Sequence, residues 1–149
     1  MTTPPKIVLI DDNEQLLTVM SRALTTLAGY HVITVPNGID GLETVINEEP
    51  ACVVIDVMMP GLNGLQLVRA LRGDPSTANL PIIMLTALVQ KTDEYRGQAS
   101  GADYYLMKPV KPMDVIAAID QALQISKEER RRQLELLLQR EPPTVENER

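Results

Sequence analysis

The chain has 149 residues, 44% of them apolar, with 20 Asp and Glu against 14 Lys and Arg and a formal net charge of −6. That is enough for one domain with a real core, and not for two large ones. The acidic balance argues against direct nucleic-acid binding, and no apolar stretch approaches the roughly 20 residues of a membrane span. Residues 1–6 carry no apolar segment of the signal-peptide kind, so a cytoplasmic protein is expected. The single cysteine, Cys52, excludes an internal disulfide, and with no Phe or Trp the core is expected to be aliphatic.

In chain order, the run Ile7-Val8-Leu9-Ile10 predicts a strand over 6–10, buried on both faces as in a parallel sheet. Leu16, Met20, Ala23, Leu24 and Leu27 recur at helical spacing and predict a helix over 13–28, with Gly29 just past its end. A strand over 31–35 follows, then a helix over 39–48 presenting Leu42, Val45 and Ile46. A third strand covers 51–56; Cys52 falls inside it and is expected as a small buried apolar residue. The turn-forming segment Met59-Pro60-Gly61-Leu62-Asn63-Gly64 leads to a helix over 65–72, ended by Gly73-Asp74-Pro75. A fourth strand spans 81–86. A weak, polar helix over 91–100, with Tyr95 and Ala99 facing inward, is capped by Gly101. A fifth strand spans 103–107. From Lys111 a helix runs through Val115, Ile116, Ile119, Ala122 and Leu123. Residues 1–125 are expected to form the domain, and 126–149 a helical extension stopped at Glu141-Pro142-Pro143 with a frayed end.

Strands alternating with helices over short connections predict an α/β fold, a doubly wound parallel sheet. In such sheets ligands sit beyond the carboxyl ends of the strands. Those ends are where polar residues interrupt the apolar runs: Asp11-Asp12, Asp56, Thr86 and Lys108-Pro109. Each alone has a plain reading, since an Asp after a strand often caps a helix. Four in order on one rim are harder to explain that way. Crowded carboxylates repel, and a divalent cation relieves the repulsion. Mg²⁺ suits hard oxygen ligands and few protein groups. Carboxylates, Mg²⁺, an ammonium and a hydroxyl together fit phosphoryl transfer to a carboxylate oxygen.

The segments Ile7-Val8-Leu9-Ile10-Asp11-Asp12-Asn13, Asp56-Val57-Met58-Met59-Pro60-Gly61-Leu62-Asn63-Gly64, Thr86-Ala87 and Gly101-Ala102-Asp103-Tyr104-Tyr105-Leu106-Met107-Lys108-Pro109 carry a resemblance to the receiver domains of two-component response regulators, over about 6–123. The resemblance implies a flavodoxin-like five-stranded sheet in the order 2-1-3-4-5 with five flanking helices, the last extended. It implies that Asp56 accepts a phosphoryl group from a sensor histidine kinase or phosphotransfer protein. Asp12 and Asp56 would ligate Mg²⁺ directly, Asp11 mainly through water, and Met58 through its backbone carbonyl. Lys108 would pair with the phosphoryl group, Thr86 would move toward it, and Tyr105 would follow Thr86 to reshape a surface for a downstream protein. A cis Lys108–Pro109 bond is also implied. Val110 stands where the family often has Phe.

On this reading the chain is not an enzyme in the ordinary sense; it assists its own Mg²⁺-dependent phosphorylation and dephosphorylation. Two alternatives remain. A phosphorylation-independent adaptor need not keep Asp11, Asp12, Asp56, Thr86 and Lys108 together, and an aspartyl-phosphate hydrolase typically has a second Asp where Met58 stands. Met58 and Leu88, both apolar, would flank the path of an attacking water and slow phosphoryl loss. His31 opens an edge strand and is expected in a surface or packing role. Arg130-Arg131-Arg132, preceded by Glu128-Glu129, reads as a solvated helix face. Leu134, Leu136, Leu137 and Leu138 need a partner surface, which suggests a homodimer or a junction to another domain.

Overall fold

The computed structural model describes residues 3–87 and 101–139. The predicted helix over 91–100, Leu88 and the end of the tail lie outside the described residues. Five strands, β1 (Lys6–Ile10), β2 (His31–Val35), β3 (Cys52–Asp56), β4 (Ile82–Thr86) and β5 (Tyr104–Met107), form one parallel sheet in the order β2-β1-β3-β4-β5. Among the described residues, four helices flank it: α1 (Glu14–Ala28), α2 (Gly38–Glu48), α3 (Gly64–Gly73) and α4 (Pro112–Gln139).

Side chains along a strand alternate between faces, and this divides the core in two. Ile7, Leu9, Cys52, Val54, Ile83 and Leu85 join Leu17, Met20 and Leu24 of α1 and Val115, Ile116 and Ile119 of α4. Val8, Ile10, Val53, Ile55, Ile82 and Met84 join Val45 of α2 and Leu67, Val68 and Leu71 of α3. The central strands β3 and β4 are buried throughout, as their unbroken apolar runs require.

The helix starts are set by asparagines. The Asn13 side chain accepts from Leu16 N, Asn37 from Asp40 N, and Asn63 from Gln66 N in a reciprocal capping box. The expected helices at 39–48 and 65–72 therefore begin one residue earlier, at Gly38 and Gly64. Asn13 is a cap rather than part of α1. Gly29 ends that helix at φ 72°, as expected, and Glu49 takes the same left-handed conformation after α2 at φ 48°. Leu27 and Ile46, expected to face inward, are exposed, and Leu17 is buried instead.

On the amino side of the sheet, Arg72 ties the segment before β4 to the segment before β5. Its guanidinium donates to the carbonyls of Ala78, Leu80 and Gly101 at 2.6–3.0 Å and pairs with Asp103 at 3.2 Å. Asp103 also accepts from Ile82 N at 2.7 Å. Tyr30, buried after α1, donates its hydroxyl to Asp120 of α4. Helix α4 passes the expected domain boundary at 125 without a break. Among the described residues no helix is long and apolar enough to cross a membrane.

Candidate functional site

The carboxyl ends of β1, β3, β4 and β5 bring the expected residues together. Asp11 follows β1, its backbone N–H donating to Val35 O at 3.1 Å. Asp56 closes β3 and Thr86 closes β4; all three are buried. Lys108 follows β5, and its backbone N–H donates to Thr86 O at 2.7 Å, so the chain leaving β5 is tied to the end of β4. The Lys108–Pro109 bond is cis, as the resemblance implies.

The Lys108 ammonium lies 2.8 Å from Asp11 Oδ2 and 3.2 Å from Asp56 Oδ1. The other Asp11 oxygen, Oδ1, accepts from the Asn13 backbone at 2.9 Å. Asn13 thus caps α1 with its side chain and orients Asp11 with its main chain. Sequence reading missed this second role, although an Asp side chain commonly accepts from the backbone N–H two residues further on.

The Asp56 carboxyl is raised from 3.8 to about 6, first by burial and then by the neighbouring charge of Asp11, with Lys108 and a hydrogen bond from the Met58 backbone opposing both. Burial disfavours the charged form of Lys108, but its hydrogen bond to Asp11 and the charges of Asp56 and Asp11 outweigh this and leave its pKa raised. Asp56 is therefore a carboxylate at neutral pH, held in a site where a second positive charge would be welcome.

Asp11, Asp12 and Asp56 each offer one oxygen, and these lie within 4.8 Å of one another. Asp11 and Asp56 are buried and Asp12 faces solvent. This hard, anionic donor set, open to water on one side, fits Mg²⁺. Met58 is exposed beside the site. Tyr105, half-buried on β5, packs with the core cluster of α2 and α3. Cys52 sits fully buried away from this rim. Burial, with the charge of Asp103, pushes its thiol up to about 12, which leaves no thiolate for redox chemistry at neutral pH.

A parallel 2-1-3-4-5 sheet with an acidic cluster and a lysine at its carboxyl rim defines a class of small α/β signalling domain. The family model for the response regulator receiver domain matches residues 7–120, and the chain belongs to that family. It is 38% identical over 126 residues to the phosphate regulon transcriptional regulatory protein PhoB of Rhizobium meliloti (strain 1021), covering 84% of this chain and 55% of that protein. It is 40% identical over 118 residues to the probable transcriptional regulator ycf27 of Pyropia yezoensis, covering 79% of this chain and 47% of the relative. The chain thus spans about half the length of the curated relatives it matches. Among solved structures, a putative response regulator from Chloroflexus aurantiacus J-10-fl aligns with TM-score 0.75 at 30% identity, covering 82% of this chain and 99% of that one. The receiver domain of sensor histidine kinase PA1611 from Pseudomonas aeruginosa PAO1, described with a magnesium ion coordinated in its active-site cleft, aligns with TM-score 0.75 at 29% identity over the same shares.

Proposed function

We propose that this receiver domain is a phosphorylation switch, in which Asp56 accepts a phosphoryl group from a histidine kinase or phosphotransfer protein. The observation that carries the reading is the place of Asp56: buried at the end of the central strand and 3.2 Å from Lys108. An Asp56 carboxylate oxygen attacks phosphorus, the bond from phosphorus to the donor breaks, and the donor keeps the electron pair. Lys108 follows the negative charge onto a phosphoryl oxygen. The Thr86 hydroxyl donates to another. Asp12 and Asp56 would hold Mg²⁺ directly, Asp11 through water and Met58 through its main-chain carbonyl. When bound, the cation neutralises charge on the phosphoryl oxygens.

The site opens beside a cleft of about 490 Å³ lined by Leu16, Val19 and Met20 of α1 and by Lys108, Pro109, Val110 and Pro112. Its apolar walls and its continuity with Lys108 suit a phosphodonor protein. Met58, apolar and exposed, cannot orient a water, which favours a long-lived phosphoryl group. An adaptor that ignores phosphorylation has no use for a buried carboxylate pair held by one lysine. A hydrolase of the aspartyl-phosphate type lacks its second Asp at Met58.

The test is incubation with acetyl phosphate and Mg²⁺, followed by intact mass. Wild type gains one base-labile phosphate; Asp56→Asn does not, and neither does wild type in EDTA. Stoichiometric labelling of the Asn variant would sink the assignment.

A further inference from the structure

We propose that Gly38, which lies outside the acidic rim, is a positioning residue for the divalent-cation site. Its missing side chain sets where the segment from Val57 to Asn63 rests, and that segment carries Met58. The inference rests on the reading of Asp11, Asp12 and Asp56 as a cation site.

Gly38 is the first residue of α2 and is buried. A Cβ added to it would fall 2.2 Å from Leu62 O, 3.0 Å from Leu62 Cβ and 3.1 Å from Leu62 C. Nonbonded carbon atoms rest near 3.5–4.0 Å, so a methyl group there would drive the loop back by about 1 Å. Two of the three atoms it would meet are backbone, so no rotamer change relieves the contact. Helix propensity favours Ala over Gly at such a position. The close approach to Leu62 is what requires glycine.

The segment has little room to absorb a push at Leu62. At one end, Val57 N donates to Leu85 O at 2.9 Å, and Gly64 N donates to Val57 O at 3.0 Å. At the other, Asn63 is locked in its capping box. The start of α3 cannot yield either, because a Cβ on Gly64 would sit 2.3 Å from Asp56 O. A displacement of Leu62 is therefore passed back toward Met58, whose backbone N–H is bonded to the Asp56 carboxylate.

Gly41 provides the control. It lies on the same helix, and a Cβ there would meet Ile10 Cδ1 at 2.6 Å, the end of a side chain. Alanine at 41 disturbs packing without touching the loop.

The experiment titrates Mn²⁺, read by electron paramagnetic resonance, into the full chain as wild type, Gly38→Ala, Gly41→Ala and Asp12→Ala, with urea unfolding in EDTA alongside. Asp12→Ala is expected to lose the site. Gly38→Ala is expected to bind about tenfold more weakly, the usual scale for loss of outer support at a metal site. Gly41→Ala should bind within about twofold of wild type at a comparable loss of stability. If Gly38→Ala does not fold in buffer, sucrose is added to favour the compact state. The pair Gly38→Ala with Leu62→Gly, which frees the opposing backbone, should recover part of the affinity. Wild-type affinity in folded Gly38→Ala overturns the proposal, and so does equal weakening by Gly41→Ala. A wild type that binds no Mn²⁺ sinks the cation-site reading, and this proposal with it.

Discussion

The Lys108 ammonium is held closer by Asp11, at 2.8 Å, than by Asp56, at 3.2 Å. Asp11 is fully buried, and its second oxygen is already occupied by Asn13 N–H. Lys108→Met would leave a buried carboxylate without its ion partner. Removing one member of such a pair costs about 3–5 kcal/mol. We expect a loss of that order at pH 7 in EDTA, read by urea unfolding. Asp11→Asn in the same chain should restore much of it. A double variant no more stable than Lys108→Met would show that the ion pair is not the source.

Asp56 makes stability depend on pH in the metal-free protein. Its folded pKa, about 6, lies above the ordinary 3.8. The folded state therefore holds its proton more tightly than the unfolded chain does. The burden of the buried charge is absent below about pH 4, grows from there, and is complete above about pH 6. Asp56→Asn, which cannot ionise, should be the more stable protein at pH 7.5 in EDTA, by on the order of 2 kcal/mol. The difference should shrink as pH falls toward 4. Unfolding midpoints across that range decide it; a gap that does not change with pH would contradict the assignment.

We propose that Thr86 and Tyr105 move together when the domain is phosphorylated. Met84 is in register with Tyr105 and Thr86 with Met107, so alternation puts Thr86 and Tyr105 on the same face of neighbouring strands. Thr86 is buried and Tyr105 half-buried. A phosphoryl group brings roughly two negative charges and strong acceptors. Drawing the Thr86 hydroxyl toward it opens space that the Tyr105 ring can take. Beryllofluoride, a phosphoryl mimic, should shift amide resonances along β5 and into α4. Shifts confined to Asp11, Asp12, Asp56 and Lys108 would refute the linkage.

The extension of α4 makes a prediction about assembly. Leu136 and Leu138 are 56% and 85% exposed on a helix that continues to Gln139. The Arg131–Glu135 pair on its surface is exposed and adds little. We propose that these leucines are covered in a homodimer. Sedimentation velocity at high micromolar concentration should give a dimer for the full chain and a monomer for a chain ending at Ser126. Identical monomers would count against it.

Much of this architecture is legible in the sequence because its central strands are buried on both sides. The runs Ile7–Ile10, Val53–Ile55 and Ile82–Leu85 have no polar member, so the first polar residue after each marks the rim. Other features are decided by packing. In α1 the neighbours Leu16 and Leu17 offer two possible stripes, and only contact with the sheet selects Leu17 and leaves Leu27 in water. Asp11 is still tied to the sheet through its backbone bond to Val35 O and is buried, whereas Asp12, in the bend that follows, is exposed. Two identical adjacent residues say nothing of this until the end of the strand is placed. The role of Gly38 was invisible for a similar reason: it depends on a loop 24 residues further along the chain.

Arg72 gives the molecule a fixed end. Its planar guanidinium fork reaches four acceptors at once, which a lysine could not do. The roots of β4 and β5 are thus moored together on one side, while their tips carry Thr86 and Lys108 on the other. We propose that a phosphoryl group at the tips shifts the surface around Thr86 and Lys108 while the roots, held by Arg72, stay in place.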